Sequence, residues 1–390
     1  MLTFSKEETL IASQIKKLTR EAGSHHPNIF TLARELPQLK IEIDACFLSN
    51  PYATDLFLTY LTRELLDTHK IRDVLEFYPS QNQVIAAILA DHLAVSKNKI
   101  FVGNGAIEII QAILHNFTSK KIVINLPTFS PFYEFVKDEV DIVYNHLRKE
   151  DDFQLNIESY IQLVEREKPD TVVLINPNNP NGGYINLATI EYLLDRLRGV
   201  ENFIIDESFI HFAYEDETYQ LKRAVTLTKT FENLLIIKSM SKDFGIAGIR
   251  AGYAIMAEEK RERLLKNGYL WNISGLAEYF FKLYVQDEFL KEYYEVRIRY
   301  IQETKYFFAT LATIPNLKVY PSLANFALVE ILDGTSAFDL SLKMLLKYGI
   351  YVRNCADKIG LKGEFIRIAS RTKSENKIIV QALKDILSNS

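Results

Sequence analysis

One lysine lies among residues that suit covalent chemistry beside a phosphate group. Lys242 follows an apolar run at 234–237 and stands close to Ser239, Ser241 and Arg250. A lysine acts as a nucleophile when its surroundings lower its pKa and fix its position. Hydroxyl groups and a guanidinium are good ligands for a phosphate dianion. The stretch therefore predicts a site for pyridoxal 5′-phosphate, a cofactor that carries both an aldehyde for the amine and a phosphate.

The same stretch contains Asp243-Phe244-Gly245, a tripeptide that protein kinases use to bind magnesium. A kinase also needs a His-Arg-Asp catalytic loop and a glycine-rich loop, and the sequence contains neither. We therefore interpret the tripeptide as a coincidence of composition. The alternative for Lys242 itself is a solvated lysine after a strand, so the cofactor prediction also depends on candidates elsewhere.

Other candidates follow predicted strands, and in open α/β sheets ligands bind beyond the carboxyl ends of the strands. Residues 103–106, Gly-Asn-Gly-Ala, open a helix whose free N–H groups could bind an anion. The turn at 176–182, Asn-Pro-Asn-Asn-Pro-Asn-Gly, could direct an amide side chain at a ring oxygen. Asp206 ends an apolar strand, so we expect a buried carboxylate that needs a cation such as a pyridinium nitrogen. A structural acid that caps the next helix is the alternative for Asp206.

The alternation of strands and helices between about residues 99 and 253 predicts the fold class. Apolar runs there lead repeatedly into a turn and a helix, which indicates a mainly parallel sheet covered on both faces, an α/β domain. A long helical pattern at 276–312 then leads into a smaller α+β domain. Its predicted strands lie at 317–320, 326–332, 350–353 and 365–369, and its predicted helices at 336–347 and 374–387.

The N-terminal region is less regular. Ser5 and Glu8 form a capping box for a helix that Gly23 ends, and the chain from there to Leu48 lacks a clear pattern. The adjacent His25 and His26 are interpreted as surface residues. We divide the chain into an N-terminal arm that joins the small domain, a large cofactor-binding domain and a small C-terminal domain, at 1–50, 51–285 and 286–390.

The bulk properties exclude several classes. The chain of 390 residues is 48% hydrophobic and 25% charged, with a net charge of −4, which gives no electrostatic case for nucleic acid or an anionic membrane. No run approaches the ~18 apolar residues of a membrane helix, and the N-terminal residues do not resemble a signal peptide. Cys46 and Cys355 are not spaced as a zinc site or a disulfide framework. We expect a cytoplasmic enzyme with small-molecule substrates and no bound metal.

The order of these motifs resembles the fold-type I pyridoxal-phosphate enzymes of the class I and II aminotransferases. Within them it is most similar to the histidinol-phosphate aminotransferase group. The resemblance runs from about Tyr78 to the C-terminus, and it implies an α/β fold with a large, mainly parallel sheet domain and a smaller α+β domain. The motifs that carry it are GNGA, PTF, NPNNPNG, DESF and SMSKDFGIAGIR.

By this resemblance, Lys242 binds the cofactor covalently and later moves the proton at the substrate Cα. Asp206 pairs with the pyridine nitrogen, Asn179 donates to the phenolic oxygen, and Phe129 stacks on the ring. Tyr78 matches a tyrosine that reaches the phosphate of the partner subunit, which implies a homodimer. The remaining cofactor ligands implied are the backbone of Gly105, Ala106 and Ile107 with the side chains of Ser239, Ser241 and Arg250.

The resemblance also implies how a substrate is bound. Arg367 matches the arginine that binds the substrate carboxylate, and Arg353 matches a residue that meets a distal phosphate. The alternative for Arg353 is an ion pair with a surface acid such as Glu364. Two positions depart from the family: Asn181 replaces a threonine, and Phe209 replaces a tyrosine whose hydroxyl would bond the phenolic oxygen.

These observations predict an aminotransferase that moves an amino group between an amino acid or amine with a distal anion and a 2-oxo acid. An amino-acid-phosphate decarboxylase stays open as the alternative, because threonine-phosphate decarboxylases resemble the chain at 350–356 and at Gly360-Leu361. A non-catalytic regulator that binds the cofactor is disfavoured, since the sequence shows no basic helix-turn-helix pattern.

Overall fold

The computed structural model of the chain describes residues 4–23 and 26–388. They form two compact units. The large unit comprises Ser49–Asn179 and Gly183–Tyr300, and the small unit comprises the chain up to Leu48, Pro180–Gly182 and the chain from Ile301 onward. The sequence-based domain boundaries at residues 50 and 285 stay a prediction beside this division.

The strands, numbered along the chain, are short and mostly apolar. They are β1 Ile43–Ala45, β2 Ile100–Asn104, β3 Lys121–Leu126, β4 Asp141–His146, β5 Thr171–Ile175, β6 Asn202–Asp206, β7 Leu234–Ser239, β8 Ala251–Ile255, β9 Leu317–Val319, β10 Phe326–Ile331, β11 Ile350–Asn354 and β12 Phe365–Ala369.

The α-helices begin at cap residues in several cases, as their sequences indicate. They are α1 Lys6–Glu21, α2 Ile29–Glu35, α3 Pro51–Leu61, α4 Ile71–Glu76, α5 Asn82–Leu93, α6 Gly105–Phe117, α7 Pro131–Glu134, α8 Ile157–Glu167, α9 Leu187–Arg196, α10 Glu258–Lys266, α11 Gly275–Tyr284, α12 Asp287–Leu311, α13 Ala337–Tyr348 and α14 Lys373–Leu387. The capping box of Ser5 and Glu8 is confirmed, with each side chain bonded to the backbone of the other residue.

The large unit is built on a seven-stranded sheet in the order β2-β8-β7-β6-β5-β3-β4. Strands β3 to β7 run parallel, and β8 is antiparallel to both of its neighbours, β2 and β7. Strands β5 to β8 are buried along their whole length, because helices cover both faces of the sheet. The predicted α/β class is confirmed. The carboxyl ends of the neighbouring parallel strands β5, β6 and β7 lie side by side at the same end of the sheet.

The small unit contains a five-stranded mixed sheet in the order β1-β11-β12-β10-β9. Strand β1 pairs in parallel with β11, and the other pairs are antiparallel. Side chains from β10, β11, β12, α13 and α14 form its main apolar core. The predicted α+β pattern of its C-terminal part is confirmed.

Two local predictions were wrong. The region before Leu48, interpreted as irregular, contains α2 and the short strand β1. The single helix predicted at 276–312 is two helices, because α11 ends at Tyr284 and α12 begins at Asp287. Within the described ranges, no helix is both long and apolar enough to cross a membrane.

Candidate active site

The segment after β7 that carries Lys242 is held by the first turn of α3. The carbonyl of Lys242 accepts hydrogen bonds from the N–H groups of Asn50, at 3.0 Å, and Gly245, at 3.3 Å. The Thr54 hydroxyl donates to the carbonyl of Gly245 at 2.8 Å. Asn50 is itself the N-cap of α3, so one helix end fixes both sides of the lysine turn. We infer that this turn holds the backbone of Lys242 in one place.

An anion cradle lies where β2 ends and α6 begins. Gly105 has φ +75°, and a Cβ added there would lie only 2.3 Å from Nη2 of Arg250. The same nitrogen donates to the carbonyl of Asn104 at 3.3 Å, and Nη1 donates to that of Ala247 at 3.1 Å. The guanidinium therefore lies against the start of α6, where backbone N–H groups and the helix dipole favour an anion. Only glycine leaves room for this close approach.

The two predicted serines lie beside this cradle on the segment after β7. The N–H of Ser241 donates to Oγ of Ser239 at 3.2 Å, and both serines are buried. Ser239 pairs in the sheet with Gly252, whose missing Cβ would approach the N atom of Ala106 to 3.0 Å. Hydroxyls, a guanidinium and a helix N-terminus are thus brought together, and this donor set fits the phosphate of the predicted cofactor.

Asp206 is buried at the end of β6, as predicted. Its Oδ1 accepts hydrogen bonds from the N–H group and the hydroxyl of Ser208. Burial raises the pKa of the Asp206 carboxyl, and the bonds from Ser208 and the charges of Lys238 and Lys242 act against that rise. The bond to Ser208 N–H gives Asp206 a structural role in the turn. Its buried carboxylate, within the field of Lys242, also fits the partner of a pyridinium nitrogen.

The asparagine-rich turn after β5 is tied to the turn after β3. Asn178 donates from Nδ2 to the carbonyl of Pro127 at 3.0 Å and accepts from the hydroxyl of Thr128 at 3.1 Å. The amide of Asn176 bonds the backbone of Ile185 in both directions. Two of the asparagines in this turn therefore shape it. Asn179, predicted as the ligand, is buried within the same turn.

Three further residues that the family resemblance assigns to the site differ in how far they are exposed. Phe129 is partly buried and packs against the apolar cluster beneath β3. Phe209, at the position where the family has a tyrosine, is 4% exposed. Tyr78 is 81% exposed and stacks on Trp271, with their ring centroids 4.9 Å apart. The roles assigned to them through the family resemblance stay predictions.

The sequence analysis missed a buried ion pair behind Lys242. Lys238 and Asp243 are both almost fully buried. The ammonium of Lys238 donates to the Asp243 carboxylate and to the carbonyl of Glu207. His211 adjoins the pair and bonds the hydroxyl of Tyr293 at 2.9 Å. Burial raises the pKa of Asp243 to about 6, opposed by the charge of Lys238. The aspartate of the DFG tripeptide is thus half of a structural ion pair.

The small unit brings Arg353 and Arg367 together. They face each other directly across β11 and β12, and both are buried. Nη2 of Arg353 donates to Oδ2 of Asp357 at 2.6 Å, and Nη2 of Arg367 donates to the carbonyl of Cys46 at 2.8 Å. Arg353 thus pairs with an acid, as its alternative interpretation expected, but the acid is Asp357 and not Glu364, which accepts from the N–H of Ala337 at 2.6 Å.

The prediction that His26 is a surface residue was also wrong. Its ring contacts Nη1 of Arg353, and it is largely removed from solvent. Burial, followed by the charge of Arg353, lowers the pKa of His26 to about 2, so the ring is neutral. His25 lies outside the described residues. Nothing in the spacing of the sequence links residue 26 to residue 353, and only the fold brings them together.

The family model for class I and II aminotransferases matches residues 50–383, and the chain belongs to this family. Members of the family use pyridoxal 5′-phosphate, so the predicted cofactor is confirmed. The predicted similarity to the histidinol-phosphate aminotransferase group is confirmed as well. Over 99% of both chains, the sequence is 58% identical to an L-serine phosphate decarboxylase of Campylobacter jejuni.

Two solved structures show the same relationships. A decarboxylase from Sulfurospirillum multivorans is 48% identical, covers 98% of each chain and gives a TM-score of 0.94. The histidinol-phosphate aminotransferase from Clostridium acetobutylicum is 29% identical, covers 89% of this chain and 100% of its own, and gives a TM-score of 0.77. The prediction of an aminotransferase was wrong, because the relatives that match over the full chain with the higher identity are decarboxylases. The chain is an enzyme of the fold-type I class.

The turn around Lys242 leads to a first prediction, on Gly245. Gly245 has φ +64°, and an added Cβ would lie 2.2 Å from Oγ1 of Thr54 and 2.4 Å from the carbonyl oxygen of Asn50. Gly245→Ala should therefore lower the free energy of unfolding by about 2 kcal/mol or more and reduce cofactor occupancy. Gly248→Ala is the matched control, since a Cβ there meets nothing within 4 Å. Urea denaturation and absorbance of the bound cofactor measure both effects, and equal behaviour of the two variants would contradict the role of the turn.

The buried ion pair leads to a second prediction. Lys238→Met should destabilise the protein by about 3–5 kcal/mol, because it leaves the buried Asp243 carboxylate without its partner. Lys238→Met combined with Asp243→Leu should recover much of that loss. The control is Arg72→Met, which breaks an ion pair whose side chains are 80% and 48% exposed and should cost at most about 1 kcal/mol. A double variant as unstable as the sum of its two single variants would show that the pair is not coupled.

Proposed function

We propose that this enzyme is a pyridoxal-phosphate-dependent decarboxylase whose substrate is O-phospho-L-serine. The bond from Cα to the carboxylate breaks, carbon dioxide leaves, and a proton takes its place on Cα, which gives O-phosphoethanolamine. The observation that carries the proposal is the 58% identity over nearly the full length to an L-serine phosphate decarboxylase. Unlike the predicted transamination, this reaction needs no 2-oxo acid acceptor.

The large unit provides the residues for the cofactor. The phosphate would be held by the start of α6 at Gly105, Ala106 and Ile107, by Arg250 and by the hydroxyls of Ser239 and Ser241. Asn179 and Phe129 would bind the ring. When bound, the cofactor supplies an aldehyde that takes up the substrate amine and a ring that accepts the electron pair of the broken bond.

Two charged residues of the large unit would then act on the reaction. Asp206, with Ser208, Lys238 and Lys242 opposing the rise of its pKa by burial, would hold a proton on the ring nitrogen and so favour the movement of electrons into the ring. The amine of Lys242 would bind the cofactor before the substrate arrives. Once displaced by the substrate amine, it would carry the proton that replaces carbon dioxide at Cα.

The small unit would recognise the phosphate of the substrate. Arg353 and Arg367 are buried like charges directly opposite each other on neighbouring strands, an arrangement that an anion close to both would stabilise. Guanidinium forks match the oxygen atoms of a phosphate group. We therefore assign both arginines to the anion of the substrate, with the neutral ring of His26 beside Arg353.

We also propose a homodimer. Large apolar side chains are exposed around the Tyr78–Trp271 stack, and exposed apolar patches of this kind often mark interfaces. They belong to Leu75, Phe77, Tyr78, Leu270 and Trp271. Sedimentation that finds only monomers of the cofactor-bound protein would contradict the dimer. A cytoplasmic location remains a prediction from composition.

The test of the proposed function is carbon dioxide release from O-phospho-L-serine by the cofactor-saturated protein without a 2-oxo acid. Each carbon dioxide released should be matched by one O-phosphoethanolamine. L-Serine, which lacks the phosphate, should be a poorer substrate by roughly tenfold or more in kcat/KM, because charge-assisted bonds contribute about 1.5–3 kcal/mol. Amine formation that requires a 2-oxo acid and releases no carbon dioxide would contradict the proposal.

Two variants test the assigned roles in the same assay. Lys242→Ala should lose both the absorbance of the covalently bound cofactor and decarboxylation. Asp206→Asn should keep the cofactor bound but slow the reaction by orders of magnitude, because it removes the charge that stabilises the protonated ring nitrogen. Near-normal turnover of Asp206→Asn would leave Asp206 with only its structural bond to Ser208.

A further inference from the structure

Lys358 lies on the loop after β11, next to the two arginines, and is 7% exposed. Its N–H donates to the carbonyl of Cys355 at 3.0 Å, and its carbonyl accepts from the N–H of Leu361 at 3.2 Å, so the loop holds it on both sides. Its ammonium nitrogen is 4.0 Å from Oδ2 of Asp357. Burying a lysine costs free energy unless an anion or a hydrogen-bond acceptor compensates its charge.

Asp357 does not balance the charge of this loop. Its Oδ2 already accepts from Arg353 at 2.6 Å, so two cations share one carboxylate oxygen. The next acid along β1, Asp44, accepts from its own backbone, the N–H groups of Cys46 and Phe47. Arg353 and Lys358 are therefore two cations beside the one carboxylate that they share.

These groups lie close together, because Arg353 and Lys358 are both beside Oδ2 of Asp357 and Arg353 is opposite Arg367 across β11 and β12. Burial, followed by the charge of Arg353, lowers the pKa of Lys358 to about 8, and Arg367 acts in the same direction while Asp357 and Cys355 oppose it. The charges of Arg353, Arg367 and Lys358 all lower the pKa of His26. Three cations and one histidine thus form one cluster in the small unit.

We propose that Lys358 is a specificity-determining residue that binds the substrate phosphate and selects a doubly charged phosphate over a singly charged anion. This inference rests on the proposed function for its choice of substrate. Two arginine forks already suit an anion of one charge, such as a carboxylate or a sulfate ester. A phosphate monoester carries about −1.5 to −2 at pH 7, and the compact ammonium of Lys358 matches the additional charge.

The experiment compares the binding of O-phosphoethanolamine and 2-aminoethyl sulfate to the cofactor-saturated protein by calorimetry. The two probes share the amine and the chain length and differ in the charge of the ester. The wild type should prefer the phosphate, and Lys358→Met should reduce that preference by about ten- to a hundredfold. The control is Lys362→Met, which removes an exposed lysine from the same loop and should leave the preference unchanged.

Further variants separate recognition from structure. Lys358→Arg, which keeps the charge, should retain most of the preference for the phosphate. If Lys358 has a purely structural role, Lys358→Met should weaken the binding of both probes equally, and that result would overturn the proposal. If Lys358→Met does not fold, Lys358→Gln takes its place. Phosphorus NMR of the wild type gives an independent measurement. The second ionisation of bound O-phosphoethanolamine should lie below that of the free compound, and an unshifted value would overturn the proposal.

Failure of the proposed function is visible separately. Both probes lack a carboxylate, so their binding does not depend on decarboxylation. If the wild type releases no carbon dioxide from O-phospho-L-serine, the proposed reaction is wrong, while a phosphate preference that depends on Lys358 would still support the anion site. If carbon dioxide is released but Lys358→Met keeps the preference, only the role of Lys358 is wrong.

Discussion

Charge buried beside the cofactor lysine is the constraint on which the active part of the large unit depends. Asp206, Lys238 and Asp243 are all nearly or fully buried, and removing an ion from water costs several kcal/mol unless a partner compensates it. Lys238 compensates both acids, since it bonds Asp243 directly and its charge opposes the raised pKa of Asp206. The ends of β6 and β7 therefore hold two acids away from solvent with one lysine beside both. The same arrangement fixes the segment that continues into Lys242.

In the small unit the buried charges beside the sheet are mainly positive, and the register of the strands explains how the two arginines are placed. Arg353 and Arg367 face each other because β11 and β12 pair at those residues. A shift of one residue would turn one arginine to the other face of the sheet, where the apolar core lies. The burial of Ile366 and Ile368 in that core therefore also positions Arg367. In the large unit one lysine lies beside two buried acids, whereas in the small unit one carboxylate, that of Asp357, lies beside two cations, Arg353 and Lys358.

Much of the fold could be predicted, because its signals are local. Apolar runs bounded by turns placed β10, β11 and β12 within a residue or two, and the Ser5 capping box placed the start of α1. Strand β1 could not be predicted, since its three residues are ordered by pairing with β11, about 300 residues away in the sequence. The same distinction between local and long-range signals holds for the candidate site. The strand-end position of Asp206 and the glycine before α6 are visible in the sequence, but the partners of Lys238, Arg353 and His26 depend on tertiary packing.

The reaction could not be predicted from the cofactor residues because those residues do not decide it. In their proposed roles, Lys242 and Asp206 would serve any reaction that leaves an electron pair on Cα, whether the bond that breaks leads to hydrogen or to the carboxylate. Which bond breaks depends on how the substrate is oriented against the ring, and orientation is set by the groups that bind its other end. Under the proposed function those groups would be Arg353, Arg367 and Lys358, and a pair of arginines suits a phosphate in either reaction. Motifs around the lysine therefore predict the cofactor, whereas under the proposed function the choice between transamination and decarboxylation would depend on the groups that bind the other end of the substrate.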